Sequence, residues 1–219
     1  MMSMSEQNPV VPPLLNAIRA SDPFDTALQN LTTGSAGTGA GDLFWSSDNK
    51  VTNLAIVLEP DVSKRQALEM IPLAMVALGD CLGVLVPPQV AVQFRSPLQI
   101  VVNGGVAGVV TAAIDGNDTK ETSPDWLLLG VEVGLARADD APDPGLTPDQ
   151  TTLDEEGCEA LGHIKFIETY ARHFLSWMAI WQDEGFTSVA RSWKFKAEDE
   201  SDPDMELIGQ AVTVVRKTR

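Results

Sequence analysis

Apolar positions along the chain change period several times, and each change marks an element. Leu68, Ile71, Met75, Leu78 and Leu82 recur every three or four residues, which gathers them on one helix face. Ser63 is the expected N-cap of that helix, Gly83 its expected end, and Pro72 its expected kink, because proline removes a backbone donor. Ile164, Ile167, Ala171, Phe174, Met178 and Trp181 form a second stripe, predicting a long helix that ends before Gly185, with a shorter segment around Trp193 after it. Short helices are expected over residues 14–20 and 24–31, the latter behind Asp22 as N-cap with Pro23 in its first turn.

Strand patterns fall between the helices. Asp42–Trp45 and Val51–Leu58 flank a polar turn at residues 46–50. Residues 100–102 and 106–114 flank Asn103-Gly104-Gly105, where Asn-Gly suits the left-handed backbone of a type I′ hairpin turn. Pro87-Pro88 turns the chain into a strand over residues 90–94. Residues 125–136 are apolar almost without a break, as a central strand is. Residues 210–215 alternate like a last strand. Between them lie a glycine-rich connection (34–41), a polar loop (115–124), an acidic, proline-rich surface excursion (139–157) and a charged linker (194–204). The expected fold is α+β: a mixed, largely antiparallel sheet with helices packed mainly on one face. Residues 1–13 read as a flexible arm, 14–195 as the main domain, and 205–219 as the start of a small C-terminal β domain.

Charge narrows the partners. Lys plus Arg number 15 and Asp plus Glu 31, a net charge of −16 over 219 residues. That balance repels phosphate backbones and anionic lipid surfaces, so neither nucleic acid nor membrane is an expected partner. No apolar run reaches the roughly 18 residues that span a bilayer, and the first residues lack the basic and apolar regions of a signal peptide. Cys81 and Cys158 have no metal-ligand spacing and read as two free thiols in a reducing compartment, the cytoplasm. His163 and His173 are ten apart on one helix, which is no metal spacing, and are expected to be solvated; no metal site is expected.

Several segments, in order, resemble the catalytic domain of the biotin and lipoate protein ligase family. FRSPLQIVVNGGVAGVV from Phe94 is similar to the family's Arg-Trp-Pro-Asn-Asp strand, turn and Lys-x-x-Gly strand. DWLLLGVEVGL from Asp125 resembles its Gly-Ile-Gly-Ile-Asn strand. NLAIVLEP from Asn53 resembles the strand after its nucleotide loop, and WQDEGFTSVARSW from Trp181 the helix exit that closes its domain. The resemblance implies a pocket for a biotin- or lipoate-like acid and a ligase-type acyl transfer onto a carrier domain. Arg95, Pro97, Asn103, Gly104, Gly105, Gly108 and Gly130 are the positions it makes ligand-binding candidates; it assigns no catalytic residue.

The departures bear on chemistry. The family's Arg- and Gly-rich nucleotide loop is replaced by the turn SSDNK, with one basic residue, and if GTGAGDLFW is set on that loop instead every arginine position is vacant. The lysine that meets developing charge between acyl carboxylate and α-phosphate is replaced by Gly105 or Val106, depending on a one-residue gap. ATP is therefore not an expected cofactor. The leading expectation is a ligase-like domain that has lost adenylation and holds a small acyl or carboxylate ligand, or a carrier partner. An active acyl transferase with a rebuilt site and a scaffold subunit are the alternatives.

Each candidate also has a plainer reading. Asn103-Gly104-Gly105 is first a hairpin turn, and the five tryptophans are first core residues. Arg95 serves equally as an ion-pair partner or an anion receptor. Glu132 interrupts an apolar strand, so it is either buried against a partner such as Arg95 or exposed at an edge. Cys158 precedes His163 by five residues, a thiol–imidazole pair only if the intervening turn closes.

Overall fold

The computed structural model describes residues 7–34, 37–116, 123–139, 141, 143–158 and 161–215. The first half of the expected arm and most of the loop over 115–124 lie outside the described residues. One sheet runs in the order β1 (Asn16–Arg19), β2 (Asp42–Trp45), β3 (Val51–Leu58), β7 (Leu127–Gly134), β6 (Gly105–Asp115), β5 (Gln99–Val102) and β4 (Val92–Arg95). β8 (Thr213–Val215) also pairs with β6. Only β1–β2 and β6–β8 are parallel. The fold is α+β, as the pattern of periods implied.

Three helices, α3 (Met70–Leu85), α4 (His163–Glu184) and α5 (Phe186–Lys196), bury one face of the sheet. α3 lies innermost: every residue from Met70 to Gly79 is buried. By length and mean hydropathy (1.8) the stretch Lys64–Leu85 is apolar enough to cross a membrane. Counting unbroken apolar runs passes over it, because Glu69 and Asp80 interrupt it; packing between the sheet and α4 accounts for its composition. The half-buried Trp177 and Trp181 of α4 tie it to this helix, their indole N–H groups donating to Asp80 (2.8 Å) and Glu69 (2.7 Å). Trp45, Trp126 and Trp193 are buried. α1 (Pro23–Thr33) packs Ala27 on the opposite face, against Phe44, Ala55, Val57, Ala113 and Leu128.

Local signals placed several boundaries well. The Asp22 carboxylate caps α1 by accepting from the Asp25 amide, with Pro23 as first helical residue and Gly34 left-handed at the end. Asn103 (φ 48°) and Gly104 (φ 94°) form the two-residue turn between β5 and β6. β7 is central, flanked by β3 and β6 along its length.

Four expectations need correction. Residues 16–19 form strand β1, not a helix: Ala17 faces the large core and Ile18 the α1 side, so burial on two faces hides the alternation. The helix expected over 63–82 is two, α2 (Lys64–Ala67) and α3, broken at Leu68 and Glu69. Pro72 would lack its bond to the Leu68 carbonyl in one continuous helix; the break puts it in the first turn of α3, where that donor is not needed. Gly83 does not end α3, which runs to Leu85. At the C-terminus, residues 205–211 are helix α6 (Met205–Ala211), capped by the Asp204 carboxylate, and only Thr213–Val215 is strand. β8 takes the edge of β6 that β5 leaves free beyond Val110, pairing at Ala113 to Asp115.

Phe94 fixes the corner where sheet and helices meet. It is 1% exposed, packs tilted against Trp193 with ring centroids 5.1 Å apart, and reaches α3 at Gly79, where a Cβ would lie 2.8 Å from its ring. Phe94→Ala should lower unfolding free energy by about 3–5 kcal/mol in urea titrations. A loss under about 1 kcal/mol would show that this corner collapses freely and does not hold the layers together.

Candidate functional site

Register across the sheet defines the surface on which a ligand could lie. Asn53 faces Glu132, Glu132 faces Val109, Val109 faces Gln99, and Gln99 faces Arg95. Directly opposed residues of antiparallel strands point to the same side, so these five form one row across five strands. The side is that of α1, since Asn53 and Glu132 alternate in step with Ala55 and Leu128. α1 covers the neighbouring row at Ala55 and Gly130, leaving its Thr111 end exposed, and stops short of this row, where Glu132 is exposed and Asn53 and Gln99 are half-buried. Among the described residues, the side chains of Asn53, Gln99, Thr111 and Glu132 make no hydrogen bond.

The sequence candidates occupy a different set of roles. The Arg95 guanidinium forms a bidentate pair with Glu198, Nε to Oε2 at 2.7 Å and Nη2 to Oε1 at 2.9 Å, and also donates to the Gly104 carbonyl at 3.3 Å. The Glu198 bond is the main cause that raises its pKa. Of the two readings open for Arg95, ion-pair partner is the one realised, and the partner is Glu198, not Glu132. Asn103 donates to Glu156 (2.6 Å) and accepts from the Ala91 amide (2.9 Å). Pro97 lies in the β4–β5 turn after a cis peptide bond.

The glycines are places of close packing. At Gly105 a Cβ would meet the Thr151 side chain at 2.9 Å. The acidic excursion runs alongside there: Val106 donates to the Asp149 carbonyl (2.8 Å) and accepts from the Thr151 amide (3.0 Å). Glu156 locks that segment by accepting from the Thr151 hydroxyl at 2.6 Å. At Gly108 a Cβ would strike the Glu132 carbonyl, and at Gly130 it would lie 2.6 Å from the Phe24 ring of α1. Set with its first glycine on Gly130, the Gly-Ile-Gly-Ile-Asn pattern puts Glu132 at its second glycine and Gly134 at its asparagine.

Neither cysteine is poised for chemistry. Cys81 is buried, its thiol pKa pushed up by burial, and it donates weakly to the Phe166 carbonyl at 3.8 Å. Cys158 borders an open cavity of about 470 Å³ with Leu85, Leu161 and Lys165; burial, then Glu156, raise its thiol. The expected solvated His163 is instead 4% exposed and stacks on Trp45 at 6.2 Å, with Arg19 over the same indole at 5.7 Å. No group of three or more potential metal ligands occurs among the described residues.

Comparison with known proteins agrees with this architecture. A family model described as the biotin/lipoate A/B protein ligase family matches residues 11–195. The chain belongs to that family. It is 28% identical over 159 residues to a biotin–[acetyl-CoA-carboxylase] ligase of Paracoccus denitrificans, covering 71% of this chain and 64% of that ligase, less than two thirds of its length. A crystal structure of a biotin protein ligase-like protein of unknown function from Silicibacter sp. TM1040 matches with TM-score 0.77 and 32% identity over 87% of this chain and 81% of that one. The Aquifex aeolicus biotin protein ligase, solved with biotin and ATP, shares the fold: TM-score 0.64, 13% identity, 84% and 78% coverage.

Two measurements check the electrostatics. Iodoacetamide at neutral pH should leave both cysteines unlabelled in the native protein and label both in urea, because each raised thiol keeps little thiolate; rapid native labelling would contradict the burial. Burial holds the His163 imidazole below its ordinary 6.5. The unfolded chain then takes the proton first, so this contribution to stability is full above pH 6.5 and is lost as pH falls towards the lowered folded value. His163→Gln should flatten the decline of the urea midpoint between about pH 7 and 5; equal slopes in both proteins would show that His163 is not held neutral.

Proposed function

We propose that this chain is a ligase-family domain that does not adenylate, and that it holds an acyl group, or the carrier bearing one, on the open row beside α1. The observation that carries this reading is the absence of an unpaired cation along that row. Arg95 is neutralised by Glu198, and Glu132 brings a negative charge to the strand position between Asn53 and Val109. A nucleotide triphosphate and a carboxylate would meet one unpaired anion there and no compensating charge, which opposes their approach. The turn between Trp45 and Val51 is too short to close over an adenylate, and Thr151 fills the space above Gly105. An acyl chain, or its amide on a carrier, makes no such demand.

Isothermal titration with the neutral amides of biotin, lipoate and octanoate, which should bind, tests the reading alongside pyrophosphate release from the free acids with magnesium and ATP. The expected result is no pyrophosphate above background and no thermal stabilisation by millimolar ATP. A ligand at a hundred times its Kd contributes about 2.7 kcal/mol, so ATP binding would be plain in a melting curve. ATP-dependent pyrophosphate release would overturn the reading and restore an active transferase.

A further inference from the structure

A second cavity, of about 400 Å³, lies on the other side of the sheet, between the β3–α2 connection, the α2–α3 break and the last turns of α4. Leu58, Met178 and Trp181 form its half-buried walls, with the buried Met70, Phe174 and Ala67 behind them at its floor. None of the residues of the open row or of the candidate ligand set lines it. Its size falls in the range of small-molecule sites. Two methionines give a wall that adapts to shape, and Trp181 offers a ring that its N–H bond to Glu69 holds in place.

The break between α2 and α3 shapes this cavity. The break leaves the small Ala67 and the flexible Met70 at the cavity and sends Glu69 to Trp181. The polar residues at the cavity are of one kind. Glu59 and Asp61 line it, both exposed, with the neutral Gln182, and no Lys, Arg or His is among its lining residues. The Glu59 carboxylate is steadied by the Ala40 amide at 3.3 Å. Asp61 makes no hydrogen bond among the described residues.

An apolar slot ringed by carboxylates selects by charge. A fatty acid would place its carboxylate beside Glu59 and Asp61 and be repelled; a neutral alcohol would gain only burial of its tail; an ammonium group would gain burial and two carboxylates. We propose that this cavity is a binding site for a small amphipathic amine, its apolar body between Met70, Phe174 and Met178 and its cation at Glu59 and Asp61. The site is separate from the open row and stands whether or not that row holds an acyl group.

Three probes with one tail test it by isothermal titration: n-hexylamine, 1-hexanol and hexanoate. Hexylamine should bind most tightly, hexanol about fivefold more weakly, and hexanoate more weakly still, with the amine's advantage shrinking as salt is raised. The double variant Glu59→Gln, Asp61→Asn alters exposed residues only and should bring the amine down to the alcohol while leaving the alcohol unchanged. Ala67→Leu, which fills the floor, should abolish binding of all three. Hexanoate binding as tightly as hexylamine, or an amine affinity unmoved in the double variant, would overturn the proposal. So would the absence of binding by all three probes to the unaltered protein.

Discussion

Arg95 and Glu198 are held face to face by the backbone as much as by their charges. The Glu198 amide donates to the Phe94 carbonyl at 3.0 Å, and Ala197 bridges Phe94, so the chain leaving α5 runs beside β4. The pair thus seals the edge of the sheet and uses up the guanidinium on the open row. A charge with an internal partner costs nothing further to keep, but it is no longer available to a ligand without first breaking that pair. Exposure of about a third on both side chains means that salt screens the pair, and its geometry owes more to the adjoining strand contact than to Coulomb attraction.

Much of the fold could be read from the chain because its signals are local. A capping aspartate, an Asn-Gly turn and a glycine after the last helical residue each act within a few residues, and α1, the β5–β6 hairpin and the end of α4 follow them. What the sequence hid is what distant contacts decide. β1 has four residues and finds its pairing only with β2, twenty-six positions on in register. β8 is short, and its partner is the part of β6 that β5 does not cover. The α2–α3 break follows from Pro72, whose presence was plain, but its place two residues upstream of α3's first turn was not, since a kink and a break satisfy the same missing donor.

The candidate site was legible in the same partial way. Arg95 and Glu132 stand out as charges in apolar surroundings, yet which residue each meets depends on cross-strand register, and register is not written in either strand alone. The row from Asn53 to Arg95 assembles residues from five strands, three of them unremarkable in sequence. Likewise the glycines at 105, 108 and 130 looked like room for a ligand. Protein comes close to each: the Thr151 segment, the β7 backbone and the Phe24 ring. A glycine says that something comes close, and only the fold says what.

The departures from the ligase pattern fall on separate elements. The short turn lies between β2 and β3, the glycine under Thr151 at the start of β6, the added carboxylate in the middle of β7, and the neutralised arginine at the end of β4. Glu132 and the paired Arg95 set the charge on the α1 side of the sheet, and Gly105 makes room for the acidic excursion at its margin. With glycine at position 105 the acidic excursion can lie alongside β6, which a larger side chain there would push away. With the excursion in place, Glu156 holds both Thr151 and Asn103, so the hairpin turn and the excursion become one unit. Gly105→Lys would therefore collide with Thr151. Space at the start of β6 and the charge of Glu156 are thereby coupled, since the carboxylate that fixes the turn also fixes the segment packed on Gly105.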